Sequence, residues 1–120
     1  MKQSYVYILT DSHNQKLYIG ITTNLIKRIN EHKNHTIEGY TKRYNLSKLV
    51  YFEEFLDVKT AIRREKNLKR KLRQKKIKLI EAMNPKWIDF YDLLINEVDI
   101  NSYIENRKIY LEHIKKKPSS

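Results

Sequence analysis

Two short apolar runs joined by a polar turn constrain the fold of this chain most strongly. Residues 5–9 read YVYIL and residues 17–21 read LYIGI. Aromatic and β-branched residues in such runs are typical of strands. The turn-forming residues 11–16 between them favour a hairpin. Gly20 weakens a strand interior, which predicts that a ligand or another backbone approaches it closely.

A helix is predicted directly after the hairpin. Thr22 or Thr23 is suited to cap a helix that begins at Asn24. Arg28 and His32 are four residues apart on that helix and therefore share one face. A histidine beside an arginine on a helix surface is usually solvated, so a functional interpretation needs further support.

The strand tyrosines complete a cluster of polar side chains on one predicted surface. Tyr7 and Tyr18 come from the two strands, and Arg28 and His32 come from the helix. Tyrosines in strands are also common core residues. The residues alone therefore leave both a structural role and a functional role open for this cluster.

Residues 33–47 lack apolar periodicity and are predicted to form a loop. Lys42 and Arg43 lie there among tyrosines, a mixture that suits contact with the phosphates and bases of a nucleic acid. The alternative is a solvated connector whose tyrosines pack on the domain. The sequence favours neither interpretation over the other.

A third strand and a long basic helix follow. The nearly continuous apolar run in residues 48–55 predicts a strand that is covered on both faces. Asp57 is placed to cap the next helix. The predicted apolar stripe of that helix consists of Val58, Ala61, Ile62, Leu68 and Leu72.

Glu65 occupies a position in the same stripe and is the only acidic residue between Asp57 and Glu81. A carboxylate on a buried face requires a partner, because an unpaired charge is costly to desolvate. One interpretation is an ion pair with Arg28 or with a neighbour on the helix. The other is a ligand for a hard divalent cation, since oxygen donors suit Mg²⁺ or Mn²⁺.

The basic residues predicted to contact nucleic acid lie mainly on this helix. The formal net charge is +11 and the isoelectric point is near 9.8, which indicates a polyanionic partner. The predicted contacts are Lys42, Arg43, Arg63, Lys66, Lys69, Arg70 and Arg73.

Residues 74–83 continue helically, and Asn84 with Pro85 ends the helix. Whether the helix breaks near residues 72–73 does not follow from periodicity. Asparagine is a common helix terminator. Trp87 is predicted to be a core residue, within a short packed segment over residues 87–94.

The last part of the chain, residues 96–120, is predicted to be a polar bridge, an amphipathic helix that packs on the domain, and a basic tail. Residues 1–95 would then form the main domain, a single domain with a hydrophobic core of modest size. The chain has no cysteine, so no disulfide-linked partner and no thiolate site is expected. It also has no apolar run long enough for a membrane span, and a cytoplasmic protein is expected.

The ordered set of motifs resembles the GIY-YIG nuclease domain over residues 4–94. The second family tripeptide is intact at residues 18–20, whereas the first, at residues 5–7, matches in type only at Tyr7. Arg28 lies ten residues after Tyr18, and His32 lies one helical turn after Arg28. Glu65 and Asn84 match the metal-binding glutamate and the late asparagine of the family.

The resemblance implies a fold, a chemistry and a role for each matching residue. The fold is α/β (α+β), a small three-stranded antiparallel or mixed sheet flanked by helices, with an extra C-terminal helix. Glu65 would hold one Mg²⁺ or Mn²⁺ ion. The remaining catalytic roles that the resemblance implies are general base for Tyr7, positioning of water or phosphate for Tyr18 and clamping of the phosphate for Arg28. His32 would shuttle a proton or bond a phosphate oxygen, and Asn84 would orient the site.

Two functions from different classes follow. The leading hypothesis is a divalent-metal-dependent endonuclease that hydrolyses phosphodiester bonds in DNA, with selectivity for structure or weak selectivity for sequence. The alternative is a non-catalytic nucleic-acid-binding module that keeps the fold. A basic amphipathic protein at an anionic membrane is a third and weaker hypothesis, and the strand content argues against it.

Overall fold

The computed structural model describes residues 3–96. The predicted amphipathic helix and basic tail of the segment 96–120 lie outside these residues, apart from Asn96. Among residues 3–96, no helix is long and apolar enough to cross a membrane. The elements in chain order are β1 (Ser4–Thr10), β2 (Leu17–Thr22), α1 (Leu25–Lys33), α2 (Tyr40–Arg43), β3 (Lys48–Phe55), α3 (Val58–Arg70), α4 (Arg73–Met83) and α5 (Phe90–Asn96).

The three strands form one antiparallel sheet in the order β2-β1-β3. The predicted three-stranded sheet is confirmed, and its antiparallel form is the one observed. The middle strand β1 is buried on both faces, and Val6, Tyr7, Ile8 and Leu9 are at most 1% exposed. Helix α3 packs on β1 and β2, while α4 and α5 pack on β3. As predicted, the apolar run of β3 is also covered on both faces.

Helix α1 begins one residue later than predicted. Asn24 itself is the N-cap, and its side chain accepts a hydrogen bond from the Lys27 backbone N–H at 3.1 Å. The Thr22 hydroxyl instead accepts from the Asn24 backbone N–H at 3.1 Å. The predicted Thr22 or Thr23 cap is wrong because an asparagine one position later can reach a free N–H of the first turn.

The segment after β3 contains two helices separated at residues 71–72. Asp57 caps α3 as predicted, and its carboxylate accepts from the Thr60 backbone N–H at 2.8 Å. Lys71 and Leu72 both have extended backbone, which ends α3 and starts α4. Helix α4 then ends at Met83 with Asn84 as its C-cap, also as predicted.

The predicted apolar stripe of α3 is only partly buried. Ala61 and Leu68, which are two turns apart, are fully buried. Val58, Ile62 and Leu72 are 47%, 39% and 65% exposed, so their prediction as buried residues is wrong. Val58 lies in the first turn, Leu72 lies in the break after α3, and Ile62 lies at the edge of the narrow line that meets the sheet.

Two further predictions need correction. Residues 33–47 are not a loop throughout, because α2 forms a single helical turn there. Trp87 is half-buried at the edge of the core, and its ring N–H donates to the exposed Glu81 carboxylate at 2.9 Å. An indole can pack one side on the core and still keep its polar atom at the surface.

A β-bulge in β3 accounts for the hydrogen bonds that polar side chains after α4 make to this strand. Ile8 pairs with Tyr51, whereas Leu9 pairs with Leu49, so Val50 is the additional residue. A bulge disrupts the hydrogen-bond ladder locally and leaves backbone groups that need other partners.

Asn84 and Asp89 provide those partners. The Asn84 amide donates to the Val50 carbonyl at 3.1 Å, and the Asp89 carboxylate accepts from the Leu49 backbone N–H at 3.1 Å. Asn84 is fully buried and also exchanges two hydrogen bonds with the backbone of Ile88, at 2.8 and 3.0 Å. The residue therefore joins the end of α4 to the centre of the sheet.

We expect Asn84→Ala to lower the free energy of unfolding by about 2–4 kcal/mol, because it leaves buried backbone groups of Val50 and Ile88 without their partners. Urea unfolding followed by circular dichroism measures the loss. Asn34→Ala, which removes an exposed amide after α1, is the matched control and should cost less than about 1 kcal/mol. Equal stability of the two variants would contradict a bulge-supporting role for Asn84.

Candidate active site

The phenol of Tyr7 occupies the space that a side chain at position 20 would fill. Tyr7 and Gly20 are direct partners in the β1–β2 pair. A Cβ atom on Gly20 would lie 2.4 Å from both the Cζ and the hydroxyl oxygen of Tyr7. As predicted, another group lies close to the backbone of Gly20. However, the group that approaches is a tyrosine side chain, not a ligand or another backbone.

The Tyr7 hydroxyl begins a buried chain of hydrogen bonds. Its oxygen lies 3.0 Å from His32 Nε2, and His32 Nδ1 lies 3.1 Å from the Thr41 hydroxyl oxygen. His32 is 4% exposed and Thr41 is 5% exposed, so the interpretation of His32 as a solvated residue is wrong. A neutral imidazole donates from one nitrogen and accepts at the other, and both hydroxyls can take either role. A proton that enters at one end can therefore reverse the donor and acceptor roles in every hydrogen bond from Tyr7 to Thr41.

Tyr18 forms the third side of an aromatic cluster around this chain. The ring centroids of Tyr7 and Tyr18 are 6.3 Å apart, and each lies 5.8 Å from the centroid of the His32 ring. Tyr18 is only half-buried, in contrast to Tyr7 and His32. The cluster thus has a closed interior and an edge that solvent reaches at Tyr18.

Burial keeps Tyr7 protonated. It raises the pKa of Tyr7 well above 10.0, and Tyr18 and Glu65 raise it further. The Arg28 guanidinium lowers this pKa but does not offset the burial. A phenolate at this position would require stabilisation by nearby positive charge. The protein alone instead holds a neutral phenol, because desolvation penalises the charged form more than one arginine favours it.

His32 is held neutral by the same burial. Desolvation, with a further contribution from the Arg28 charge, lowers the pKa of His32 from 6.5 to about 4. The ring therefore carries no net charge at neutral pH, and one of its nitrogens has a lone pair available. That is the protonation state in which a histidine can accept a proton from a neighbouring hydroxyl.

Arg28 and Glu65 lie near this cluster but do not pair with each other. The Arg28 Nε forms an ion pair with Glu31 at 3.2 Å, and the Glu65 carboxylate lies 3.4 Å from Lys69 Nζ. The proposed pair between Arg28 and Glu65 is therefore wrong, whereas the pair with a neighbour on the helix is observed. The Glu65 side chain is 15% exposed and the Lys69 side chain is 53% exposed, so an exposed lysine pairs with a more enclosed carboxylate.

Glu65 fits a metal site that is completed by substrate. No group of three or more histidine, cysteine, aspartate or glutamate residues able to hold a metal ion occurs within residues 3–96. A self-contained metal cage is therefore not formed by this part of the chain. Mg²⁺ commonly uses one or two carboxylates together with water and substrate phosphates, a ligand set that one partly enclosed glutamate can begin.

The amide of Asn84 forms hydrogen bonds with the backbone of Val50 and Ile88. These bonds support β3, and the role of Asn84 in orienting the site stays a prediction. Asparagine suits this position because one amide supplies both a donor and an acceptor to the backbone.

The residues predicted to contact nucleic acid are on the surface. All seven side chains belong to exposed residues of α2, α3 and the start of α4. Lys42 pairs with the exposed Glu38 at 2.7 Å, and Arg73 donates to the backbone carbonyl of Gln15 in the β1–β2 turn. Surface pairs of this kind are weak and can exchange for phosphate.

Thr41 is the residue of the site that sequence reasoning missed. It lies nine positions after His32, in a segment with no apolar periodicity. The sequence offers little signal for it, since threonine is common in loops. A buried threonine becomes informative only when α2 is seen to direct it towards the His32 ring.

We expect Gly20→Ala to displace the Tyr7 ring and break its hydrogen bond to His32, because the added methyl group overlaps the phenol. The ¹⁵N chemical shift of His32 Nε2 should move, and the free energy of unfolding should fall by about 1–3 kcal/mol. Ile21→Ala is the control, because its side chain points away from the Gly20 face of β2. An unchanged His32 signal in Gly20→Ala would contradict the contact.

We expect His32 to make the fold less stable in acid. Between pH 6.5 and about 4 the unfolded chain binds a proton at this histidine while the folded protein does not. Between pH 7.5 and pH 5, the wild-type protein should therefore lose about 2 kcal/mol more unfolding free energy than His32→Gln.

Urea unfolding at the two pH values tests this pH dependence, and NMR titration of the His32 ring tests its cause. The control is His35→Gln, which removes an exposed histidine and should retain the wild-type loss. A His32 midpoint near 6.5 would contradict the burial argument.

Comparison with known proteins agrees with the site geometry. Residues 3–78 match the family model described as the GIY-YIG catalytic domain. A UPF0213 protein of Clostridium perfringens is 41% identical over 83 residues, which cover 69% of this chain and 88% of the relative. A UPF0213 protein of Staphylococcus haemolyticus is 42% identical over 81 residues, which cover 68% and 98%.

A viral relative and a solved structure also match. A UPF0213 protein of Autographa californica nuclear polyhedrosis virus is 43% identical over 79 residues, which cover 64% of this chain and 75% of the relative. The solution NMR structure of a UPF0213 protein from Bacillus halodurans has 29% sequence identity and a TM-score of 0.48, and covers 72% of this chain and 92% of that chain. The family match spans more than half of the sequence and includes the strand tyrosines, Arg28, His32 and Glu65. The chain therefore belongs to the GIY-YIG catalytic domain family, with UPF0213 proteins among its relatives.

Proposed function

We propose that this protein is a divalent-metal-dependent endonuclease that hydrolyses phosphodiester bonds in DNA. The observation that carries the proposal is the buried chain Tyr7–His32–Thr41, which lies beside Arg28 and Glu65 on a strongly basic molecule. Family membership supports a nuclease, and the net charge of +11 supports a polyanionic substrate. Metal dependence and the choice of DNA are the parts that require experiment.

The hydrogen-bonded chain supports Tyr7 as a proton acceptor although its phenol is neutral. When water attacks phosphorus, the Tyr7 oxygen accepts the proton of the water and passes its own proton to His32 Nε2. Burial and the Arg28 charge disfavour an imidazolium in the protein alone. During the reaction it would be stabilised by the Thr41 hydroxyl, which accepts from Nδ1–H, and by the negative charge of the substrate phosphate. This transfer avoids a free phenolate, which the burial of Tyr7 disfavours.

Arg28 would bind the scissile phosphate. Its guanidinium has five N–H donors in a planar fork, and the contact of Nε with Glu31 uses one of them. The fork matches two phosphate oxygens at once, which a lysine cannot do. Tyr18, at the solvent-exposed edge of the cluster, is suited to hold the attacking water or a phosphate oxygen by its hydroxyl.

Glu65 would hold the divalent cation together with phosphate oxygens of the substrate. When bound, Mg²⁺ or Mn²⁺ supplies positive charge that offsets the negative charge developing on the phosphate and on the leaving oxygen. The enclosed carboxylate is paired with Lys69, so a cation of higher charge would replace an exposed ammonium group.

The altered first motif does not remove this machinery. Tyr5 and Val6 stand where the family has glycine and isoleucine, and both form part of β1. Val6 is fully buried in the core and Tyr5 is half-buried. Their replacement leaves the Tyr7 phenol over Gly20 and bonded to His32, which favours an enzyme over the non-catalytic binding module.

We expect the wild-type protein to cleave DNA with Mn²⁺, and Glu65→Gln to reduce the rate by at least about 100-fold, since the loss of a bound cation removes several kcal/mol of transition-state stabilisation. A panel of supercoiled, linear, branched and single-stranded DNA measures cleavage and the preferred shape. The control is Glu54→Gln, which removes an exposed carboxylate of β3 and should keep wild-type activity.

DNA binding measured with EDTA separates catalysis from affinity. Glu65→Gln should bind DNA at least as tightly as the wild-type protein, because it removes a negative charge from a basic surface. Affinity should fall steeply with salt through counterion release. If neither protein cleaves any DNA while both bind it in this way, the binding module is the correct function.

A further inference from the structure

Helix α2 carries two exposed aromatic side chains beside the candidate active site. Tyr40 is 47% exposed and Tyr44 is 39% exposed, and no other phenylalanine, tryptophan or tyrosine within residues 3–96 is classed as exposed. The two ring centroids are 4.9 Å apart, with the planes inclined by 59°. Neither tyrosine belongs to the buried hydrophobic core. The interpretation that these rings pack on the domain therefore holds only in part, because each ring keeps a large exposed surface.

Cationic groups border these rings. The Lys16 ammonium lies 4.6 Å from the centroid of the Tyr44 ring, and the Arg43 guanidinium carbon lies 5.9 Å from it. Lys16 comes from the β1–β2 turn and Arg43 from α2 itself. We call the cluster of Tyr40, Tyr44, Lys16 and Arg43 the tyrosine platform.

The same helical turn connects the tyrosine platform to the site. Thr41 follows Tyr40 directly but points inward, where its hydroxyl oxygen lies 3.1 Å from His32 Nδ1. The other nitrogen of His32 is bonded to the Tyr7 hydroxyl. A ligand on the tyrosine platform would thus lie one short helix away from the proposed proton acceptor.

The composition of the tyrosine platform specifies a class of ligand. Exposed aromatic rings stack on nucleobases with about 1–3 kcal/mol per base, and nearby lysine and arginine neutralise phosphates. A base inside a duplex is already stacked on both sides and must be extruded before it can reach a protein ring. The tyrosine platform is therefore matched to a nucleotide whose base is unpaired.

We infer that the tyrosine platform binds an unpaired base of single-stranded DNA adjacent to the phosphodiester that the site cleaves. This inference rests on the proposed nuclease function, because it assigns the DNA class that the site receives. Tyr40, as the more exposed ring, provides the stacking surface. Tyr44 supports Tyr40, and Lys16 and Arg43 hold the flanking phosphates.

Fluorescence anisotropy with EDTA tests the inference without any cleavage. A labelled single-stranded oligonucleotide and its blunt duplex are titrated with wild-type protein, Tyr40→Leu, the double variant Y40L/Y44L and the double variant Y40F/Y44F. We expect Y40L/Y44L to weaken single-strand binding by about 5–100-fold and duplex binding by less than about 3-fold. Y40F/Y44F should bind as the wild type does, because stacking requires the ring and not the hydroxyl.

A second readout reports stacking itself. An oligonucleotide that contains 2-aminopurine loses fluorescence when the base stacks, and Tyr40→Leu should reduce the loss seen with the wild-type protein. Leu56→Ala, which trims a 73% exposed apolar residue between β3 and α3, is the control for a general change of the surface. It should leave both measurements unchanged.

Three outcomes would overturn the inference: no loss of single-strand binding in Y40L/Y44L, an equal loss for single strand and duplex, or a loss that Phe does not rescue. Because the substituted side chains are exposed, thermal melts of the variants should match that of the wild type. Absence of cleavage with Mn²⁺ would reject the proposed function and leave this binding result intact, so the two failures are distinguishable.

Discussion

The hydrogen bond between the Tyr7 hydroxyl and His32 Nε2 is the contact on which the arrangement of the site depends. It joins the central strand to α1 across 25 positions in the chain, and it is buried, so a loss of either partner leaves a costly unpaired polar group. The phenol can reach His32 only because Gly20 leaves room for it. Thr41 then fixes the far side of the imidazole. The position of the Tyr7 side chain thus depends on the strand register, on Gly20 and on helices α1 and α2 together.

The elements that follow from local chemistry could be predicted from the sequence. The hairpin, the third strand, the Asp57 cap and the end of α4 depend on residue type and short-range spacing, and the structure confirms them. The partner of Gly20 could not be predicted in this way. A missing Cβ indicates that something lies close, but its identity depends on which residue stands opposite in the neighbouring strand. Thr41 was missed for a similar reason, since only the path of α2 brings it to His32.

Asn84 shows how a residue that fits two sequence patterns can have a further structural role that neither pattern predicts. The sequence marks a helix end, and the family resemblance suggests a place in the site. In addition, its amide satisfies the backbone of a β-bulge at Val50. No pattern in the sequence reveals this role, because the bulge exists only as a mismatch of register between β1 and β3. A buried asparagine with backbone partners far away in the chain is a strong constraint on how α4 ends against the sheet.

The charged groups of this molecule lie mainly at the surface, whereas the buried ionisable groups of the site are neutral. This separation determines how salt and pH would affect binding and catalysis. The interior of the site holds Tyr7 and His32 in neutral forms, since burial raises the pKa of the phenol and lowers the pKa of the imidazole. Most cations of α2, α3 and α4 are exposed, and only Arg64 and Lys76 among them are half-buried. Salt screens exposed charges much more than buried ones, so ionic strength acts mainly on the affinity for a polyanion. The Tyr7–His32 pair keeps one charge state across neutral pH. In the proposed function, the substrate phosphate would bring the negative charge to which this pair responds.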